Sequence, residues 1–282
     1  MKYSVVIPVY NEERALTETL DRVKKVMMPY DSEIIAVNDG SKDKSGEILK
    51  KTKGINVIHH PYNLGYGASL KDGIKQAKGE YIIITDSDGT YPIEDIPKLI
   101  KLSRHFDMVV GARTGKHVHD VALRKPAKWI LKKFAKFLTG RNVPDINSGL
   151  RIFKKDMAME FFHLCPSGFS FTTTITLAAL TNSYTVKYVP INYFKRKGKS
   201  SIRPSDFYNF MVLMIRVIIH FKPLKFFLFP GITLLLLSFL HLIYRLIRFA
   251  DVSDLSIILF VGGLQIIFIG IIADLIVKHR KT

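Results

Sequence analysis

Short apolar runs alternate with stretches of helical periodicity along the N-terminal part of the chain. The runs lie at residues 3–9, 33–37, 56–60 and 81–85, and each ends in polar residues. Between them, apolar side chains recur every three or four positions, which is typical of amphipathic helices. Strands that alternate with helices predict an α/β fold, a mostly parallel sheet with helices on both faces. Ligands of such sheets bind beyond the carboxyl ends of the strands.

Two long apolar runs near the C-terminus have a different pattern. Residues 226–244 and 255–273 contain no Asp, Glu, Lys or Arg. Each run approaches the roughly 20 helical residues that span a bilayer. Two such runs in succession predict a transmembrane hairpin over residues 226–277. The chain before it divides into a predicted domain, residues 1–204, and a predicted membrane-surface helix, residues 205–222.

Basic residues are concentrated around these apolar runs, in a chain of 282 residues with a formal net charge of +18. Lys222 and Lys225 precede the first run, and residues 278–281 add further positive charge after the second. The positive-inside tendency therefore predicts that the domain of residues 1–204 faces the cytoplasm. This placement, without a recognised nucleic-acid motif, indicates a lipid bilayer and no nucleic acid as partner. The lone Cys165 excludes an internal disulfide framework.

Residues 122–140 have the pattern of a helix that lies in the membrane interface. Trp129 and Phe137 fall broadly on one helical face, whereas lysines at four-residue spacing fall on another: Lys128, Lys132 and Lys136. A surface helix packed on the domain is the alternative. We expect membrane contact, because one tryptophan beside several lysines is poor core material.

Two carboxylates follow the fourth apolar run. Side chains alternate along a strand, so Asp86 and Asp88 leave its carboxyl end on the same side while Ser87 points away. Two hard oxygen donors this close predict a Mg²⁺ or Mn²⁺ site that is completed by substrate phosphates. A solvated acidic loop is the alternative, because the D-x-D pattern is weak by itself.

Polar or glycine residues end the other predicted strands and point to the same crevice. Tyr10, Asp39, Gly65 and Asp86 all fall at such ends. The first helix is not opened by G-x-G-x-x-G, and no G-x-x-x-x-G-K-[ST] occurs, which argues against a dinucleotide-binding domain or a P-loop. Asn38 or Asp39 can pair with a nucleobase edge, and Tyr10 can lie against its face.

The ordered set of these motifs resembles the family 2 glycosyltransferases. The motifs are Pro8-Val9-Tyr10-Asn11-Glu12, Asn38-Asp39-Gly40-Ser41, Asn63-x-Gly65 and Asp86-Ser87-Asp88. Three further segments resemble the polyprenyl-phosphate branch, the dolichol-phosphate mannose and glucose synthases: Gly111-Ala112-Arg113, Asn147-Ser148-Gly149-Leu150-Arg151 and Arg196-x-Gly198-x-Ser200. The resemblance implies a GT-A catalytic domain, inverting transfer from GDP-mannose or UDP-glucose, and a polyprenyl or dolichyl phosphate acceptor.

The resemblance also implies roles on the donor side of the crevice. Contacts to the nucleoside are expected from Pro8, Tyr10, Glu12 and Asp39, and Asp86 and Asp88 are expected to hold the metal and diphosphate. Further donor-side candidates are Asn38, Gly65, Lys71 and Ser87. Mannose synthases usually carry a glutamine as a further metal ligand two residues after the second aspartate. Here that position is Thr90, so we expect a hydroxyl or a water in its place.

The acceptor side is expected to need basic residues. A phosphate monoester is already anionic at neutral pH and needs no general base. Arginine matches phosphate oxygens in a two-pronged geometry, which makes Arg113, Arg124 and Arg196 the candidates. Ser148 and Arg151 are expected to line the same pocket.

Two other functions are compatible with parts of the sequence. A membrane-anchored enzyme with the same donor site that elongates a saccharide needs a base for a hydroxyl acceptor, and Asp145 is the candidate. A non-catalytic membrane anchor or nucleic-acid-binding module is suggested by the net charge alone. The position of the basic residues beside the apolar segments argues against the nucleic-acid function.

Overall fold

We describe the protein from a computed structural model. The structure describes residues 2–117, 139–168, 170–196 and 222–279, together with positions 133, 135–137, 212, 215 and 219. The chain divides into two compact units, residues 1–207 and residues 208–282. The predicted interfacial helix, residues 122–140, and the predicted membrane-surface helix, residues 205–222, lie mostly outside the described residues.

The first unit is built on a seven-stranded mixed sheet in the order β3-β2-β1-β4-β6-β5-β7. All strands run in one direction except β6, which is antiparallel to both of its neighbours. The strands are β1 Tyr3–Val9, β2 Ser32–Asn38, β3 Asn56–His59, β4 Tyr81–Ile84, β5 Met108–Ala112, β6 Arg151–Lys154 and β7 Val186–Pro190. This confirms the predicted α/β class with a mostly parallel sheet.

Helices connect these strands. They are α1 Leu16–Met27, α2 Ser45–Lys51, α3 Tyr66–Gln76, α4 Ile96–Ser103, α5 Lys155–Glu160 and α6 Phe171–Thr181, with a short 3₁₀ turn at Ile93–Asp95. The apolar positions of α1 that repeat at helical spacing, Leu16, Leu20 and Val23, are all buried against the sheet. Helix α3 begins at Tyr66, directly after Gly65, whose φ of +105° lies in a region that glycine adopts without strain.

The antiparallel strand β6 explains how distant segments meet at one edge of the sheet. Parallel strands β1, β2 and β4 end at this edge, whereas β6 begins there, because Arg151 pairs with Ile84, the last residue of β4. The loop that precedes β6 therefore arrives beside the loop that follows β4. Gly149, in the loop before β6, accordingly lies against the Asp86 carboxylate.

The second unit contains two long apolar helices, α7 Pro223–Phe249 and α8 Asp254–His279. Both are long and apolar enough to cross a membrane, with mean hydropathies of 2.2 and 2.6. They are longer than the uncharged runs in the sequence, because helical structure continues through Arg245 and Arg248 at the end of α7. Gly231 and Gly263 allow the helices to approach closely, since an added Cβ at Gly231 would lie 2.5 Å from Ile267.

Candidate active site

The loop after β4 presents the two predicted carboxylates. Asp86 accepts a hydrogen bond from the Tyr66 hydroxyl, with 3.0 Å between the oxygens. Asp88 Oδ1 accepts hydrogen bonds from the Thr90 amide at 3.1 Å and the Thr90 hydroxyl at 2.6 Å. Between them, Ser87 turns away, and its hydroxyl donates to the Pro8 carbonyl at 2.8 Å. Ser87 thus joins the end of β4 to β1 and does not point toward the carboxylates.

The electrostatics of this pair favour a bound cation. Burial and, after it, the neighbouring charge of Asp88 together raise the pKa of Asp86 from its ordinary 3.8 to about 7. Arg113 and Arg196 act in the opposite direction without cancelling the effect. Burial also raises the pKa of Glu12. The buried carboxyl groups of Asp86 and Glu12 therefore keep their protons to higher pH than exposed ones do, and a bound cation would favour their ionised forms.

The residues fit a divalent metal only with help from a ligand. Within the ranges that the structure describes, no group of three or more His, Cys, Asp or Glu side chains is arranged to hold a metal. Asp86 and Asp88 supply the hard oxygen donors, and the remaining positions must come from water or phosphate oxygens. The Thr90 hydroxyl, which we expected as a possible ligand, is 1% exposed and donates to Asp88. Its role in the structure is to orient that carboxylate.

Arg196 lies against the donor-side carboxylates. Its Nη2 donates to Glu12 Oε1, and its Nε is 3.5 Å from Asp88 Oδ2. The backbone nearby is fixed, because the Phe194 amide donates to the Thr90 carbonyl at 2.9 Å. The sequence placed Arg196 on the acceptor side, whereas the structure pairs it with residues assigned to the donor.

Asp39 is buried at the end of β2 and organises the loop before α3. Its Oδ1 accepts from the Leu64 amide and faces His60 Nδ1, both at 2.8 Å, and its Oδ2 accepts from the Gly65 amide at 2.9 Å. The other ring nitrogen of His60 lies 3.2 Å from Asp72. Asp39 therefore fixes the local backbone, and any contact to a nucleoside would use the remaining lone pair of Oδ2.

Two of the predicted donor-side residues have other partners. The Asn38 carboxamide accepts from the Ser41 amide at 3.1 Å and lies 3.2 Å from His59 Nδ1, so it closes the turn after β2. Lys71 lies with its ammonium 5.6 Å from the centre of the Phe162 ring. Pro8 is buried near the end of β1, and Tyr10, the residue that follows this strand, is half-buried.

The start of α3 is closed by another part of the chain. The amides of Gly67 and Ala68 donate to the carbonyls of Gly168 and Ser167, at 3.1 and 2.8 Å. A Cβ at Gly67 would lie 2.2 Å from the Pro166 carbonyl oxygen, so this contact requires glycine. These first amides of the helix are consequently bound within the protein and are not donors for a diphosphate.

Arg113 and Arg151 do not have free guanidinium groups. Arg113 makes a two-pronged pair with Asp145, at 2.7 and 2.9 Å, and also donates to Asn147 at 2.7 Å. Arg151 is fully buried, and it donates to the carbonyls of Ser148 and Thr172. The hydrogen bond to Ser148 helps to compensate for the burial of the Arg151 charge. Arg151 thereby holds the loop before β6 in place.

Ser148 and Arg124 complete the predicted set. Ser148 is fully buried, and among the described residues its hydroxyl has no hydrogen-bond partner. It belongs to the wall behind the site and does not line an open pocket. Arg124 lies outside the described residues.

Sequence reasoning assigned no role to Tyr66 or Tyr91, and it named Gly149 only as part of a motif. The Tyr91 hydroxyl accepts from the Gly149 amide at 2.6 Å, and Gly149 brings the loop before β6 against Asp86. A Cβ at Gly149 would lie 2.8 Å from both carboxylate oxygens of Asp86. The glycine between Ser148 and Leu150 was the available signal, because a glycine often marks a close approach.

Comparison with known proteins assigns the family. Residues 4–162 match the sequence model described as Glycosyl transferase family 2. The chain belongs to this family. Residues 222–278, which include α7 and most of α8, match the model described as GtrB C-terminal hairpin.

Curated relatives of this family 2 glycosyltransferase carry related names. The Bactoprenol glucosyl transferase of Shigella phage SfV is 29% identical over 99% of this chain and 96% of its own length. An Undecaprenyl-phosphate 4-deoxy-4-formamido-L-arabinose transferase of Photorhabdus laumondii is 36% identical over 55% of this chain. The chain spans about half the length of the latter and of the Low-salt glycan biosynthesis hexosyltransferase Agl6 of Haloferax volcanii, at 49% of each.

Solved structures confirm the GT-A-like fold. Glucosyl-3-phosphoglycerate synthase from Mycobacterium tuberculosis, in complex with UDP, has a TM-score of 0.60 at 15% identity, over 77% of this chain and 79% of the other. TarS from S. aureus, residues 1–349, has a TM-score of 0.55 at 21% identity, over 77% and 65%. At these identities the likeness concerns the fold alone.

Proposed function

We propose that this enzyme transfers a hexose from a nucleotide sugar to a polyprenyl phosphate in the membrane. The observation that carries the proposal is the Asp86–Asp88 pair at the carboxyl edge of the sheet. Burial raises the pKa of Asp86 to about 7, which indicates a site built to receive positive charge. A nucleoside diphosphate that arrives with a divalent metal supplies that charge together with the missing ligands.

The names of the relatives that mention bactoprenol or undecaprenyl phosphate support a lipid phosphate acceptor, and those of the glucosyl transferase and the hexosyltransferase support a hexose donor. The bactoprenol glucosyl transferase of phage SfV matches nearly the whole chain, including the hairpin. Structures of two proteins with a similar fold contain UDP-GlcNAc in one case, and Mn²⁺ and UDP in the other. We therefore propose UDP-glucose as the first donor to test and GDP-mannose as the second.

On the donor side, the chain's own residues hold and orient the diphosphate. Asp86 and Asp88 would hold Mg²⁺ or Mn²⁺, which when bound neutralises the charge that develops on the departing diphosphate. Tyr66 and Thr90 fix the two carboxylates by hydrogen bonds. Pro8, Tyr10 and Asp39 form the end of the sheet against which the nucleoside would bind.

On the acceptor side, a phosphate nucleophile fits the charges better than a hydroxyl does. A phosphate oxygen forms the new bond to the anomeric carbon as the bond to the nucleoside diphosphate breaks, with inversion and without proton removal. Asp145, the candidate base for a hydroxyl acceptor, has both oxygens engaged by Arg113. That pairing disfavours a role for Asp145 as a proton acceptor and so supports the phosphate acceptor.

The hairpin would keep the enzyme at the bilayer that contains the acceptor. Helices α7 and α8 have the length and apolar composition for this anchor. Lys222 and Lys225 at its start favour a cytoplasmic position of the catalytic unit by the positive-inside tendency.

The test uses the full chain in detergent, undecaprenyl phosphate and a panel of labelled nucleotide sugars. We expect one of these nucleotide sugars to give a labelled lipid phosphate sugar. Asp88→Asn should lower its formation by about 10²-fold or more, because a carboxylate that balances the cation is lost. Asp21→Asn, on the exposed face of α1, removes the same charge far from the crevice and should leave the rate unchanged.

Two results would contradict the proposal. The first is turnover by Asp88→Asn at the wild-type rate in saturating metal, which would remove the metal from the mechanism. The second is label that appears in a saccharide and never in the lipid phosphate, which would favour a hydroxyl acceptor.

A further inference from the structure

Arg196 places a positive charge against two of the donor-side carboxylates, those of Glu12 and Asp88. One nitrogen of its guanidinium donates to Glu12, and another lies 3.5 Å from Asp88 Oδ2. The other oxygen of Asp88 is already engaged by the Thr90 amide and hydroxyl. The oxygen that faces Arg196 is therefore the one that Asp88 can offer to a metal.

Burial makes this arginine important to the carboxylates. The side chains of Glu12 and Asp88 are 6% and 9% exposed, whereas that of Arg196 is 30% exposed. Buried carboxylates need a compensating charge, and the two-pronged pairing of Arg113 is directed at Asp145. Arg196, the most exposed of the three side chains, thus supplies positive charge to Glu12 and Asp88.

We propose that Arg196 is a resident counter-cation of Asp88 that an incoming divalent metal must displace. The proposal rests on the proposed function, because that function places the metal on Asp86 and Asp88. A guanidinium and a divalent ion at the same oxygen would repel each other strongly at this separation. The arginine therefore weakens the binding of metal alone. It favours metal that arrives with a diphosphate, whose oxygens give the released guanidinium new acceptors.

Displacement requires only a movement of the side chain. The backbone two residues earlier is held by a hydrogen bond that the Phe194 amide donates to the Thr90 carbonyl. Arginine can leave Glu12 and Asp88 by rotation about its own torsions while that backbone contact persists. The same contact keeps the released guanidinium near Asp88.

The test measures Mn²⁺ binding to the full chain in detergent by electron paramagnetic resonance, without nucleotide. Arg196→Ala should tighten Mn²⁺ binding by about tenfold, because the competing charge is gone. Arg196→Gln, which keeps a donor for Glu12 without the charge, should give a similar change. Lys195→Ala is the matched control, since it removes one positive charge from the exposed neighbouring residue and should change the affinity by less than about twofold.

The outcomes separate this proposal from the proposed function. If Asp88→Asn abolishes Mn²⁺ binding while Arg196→Ala and Arg196→Gln bind as the wild type does, the metal site stands and the counter-cation proposal is wrong. Equal tightening in Lys195→Ala would also overturn it, because the effect would then be general electrostatics. If neither the wild type nor any variant bound Mn²⁺, with or without UDP, the metal site and the counter-cation proposal would both be overturned.

Discussion

Gly149 offers the sharpest test of how the site is built. An alanine there would place a methyl group 2.8 Å from both oxygens of Asp86 and 3.0 Å from its carboxyl carbon. Ordinary van der Waals contact begins near 3.4 Å, so the methyl would be about 0.6 Å too close to each oxygen. The carboxylate cannot retreat freely, because Tyr66 donates to Oδ1.

Either Asp86 or the loop before β6 must therefore move. Two hydrogen bonds hold this loop. The Gly149 amide donates to the Tyr91 hydroxyl, and Arg151 donates to the Ser148 carbonyl. We expect a shift of the carboxylate by about half an ångström, and an approximately 10- to 100-fold loss of kcat from misplacement of the diphosphate. The cost in stability should be about 1–3 kcal/mol, as for other overpacked sites.

The assay compares kcat and melting temperature for Gly149→Ala and for Gly168→Ala. Gly168 is the matched control, because an added Cβ there would meet nothing within 4 Å. Gly168→Ala should retain both properties. Wild-type kcat in Gly149→Ala would refute the reasoning, since it would mean that the position of the Asp86 carboxylate does not limit catalysis.

Three further predictions concern Asp86, His60 and the two apolar helices. Because the pKa of Asp86 is about 7 in the folded state and 3.8 ordinarily, its protonated form favours folding, and this stabilisation is lost as the pH rises through 7. Metal-free Asp86→Asn should therefore melt above the wild type at pH 8, and the gap should shrink towards pH 5; a constant gap would contradict the shift. His60→Ala removes a partner of buried Asp39 and should cost about 1–3 kcal/mol, measured by thermal unfolding, whereas an unchanged melting temperature would make that contact dispensable. A chain truncated after Pro204 lacks both apolar helices and should be released from membranes by carbonate washing; retention would mean that the hairpin is not the main anchor.

The sequence by itself predicted the α/β class, the first four strands and the carboxylates that follow the fourth. Alternating apolar runs and helical repeats predicted the α/β class, because these periodicities follow from backbone geometry. The same runs located the predicted site residues, since the carboxyl ends of parallel strands share an edge. The Asp86-Ser87-Asp88 alternation likewise placed Ser87 away from the two carboxylates.

The tertiary structure alone decided which of these side chains remain available. Arg113 and Arg196 look equivalent in the sequence, yet one is paired with Asp145 and the other with Glu12 and Asp88. Those partners come from segments far apart in the chain, and β6 brings one of them to the edge by running against its neighbours. Local periodicity carries no information about such pairings, because they depend on strand order and on the direction of a single strand.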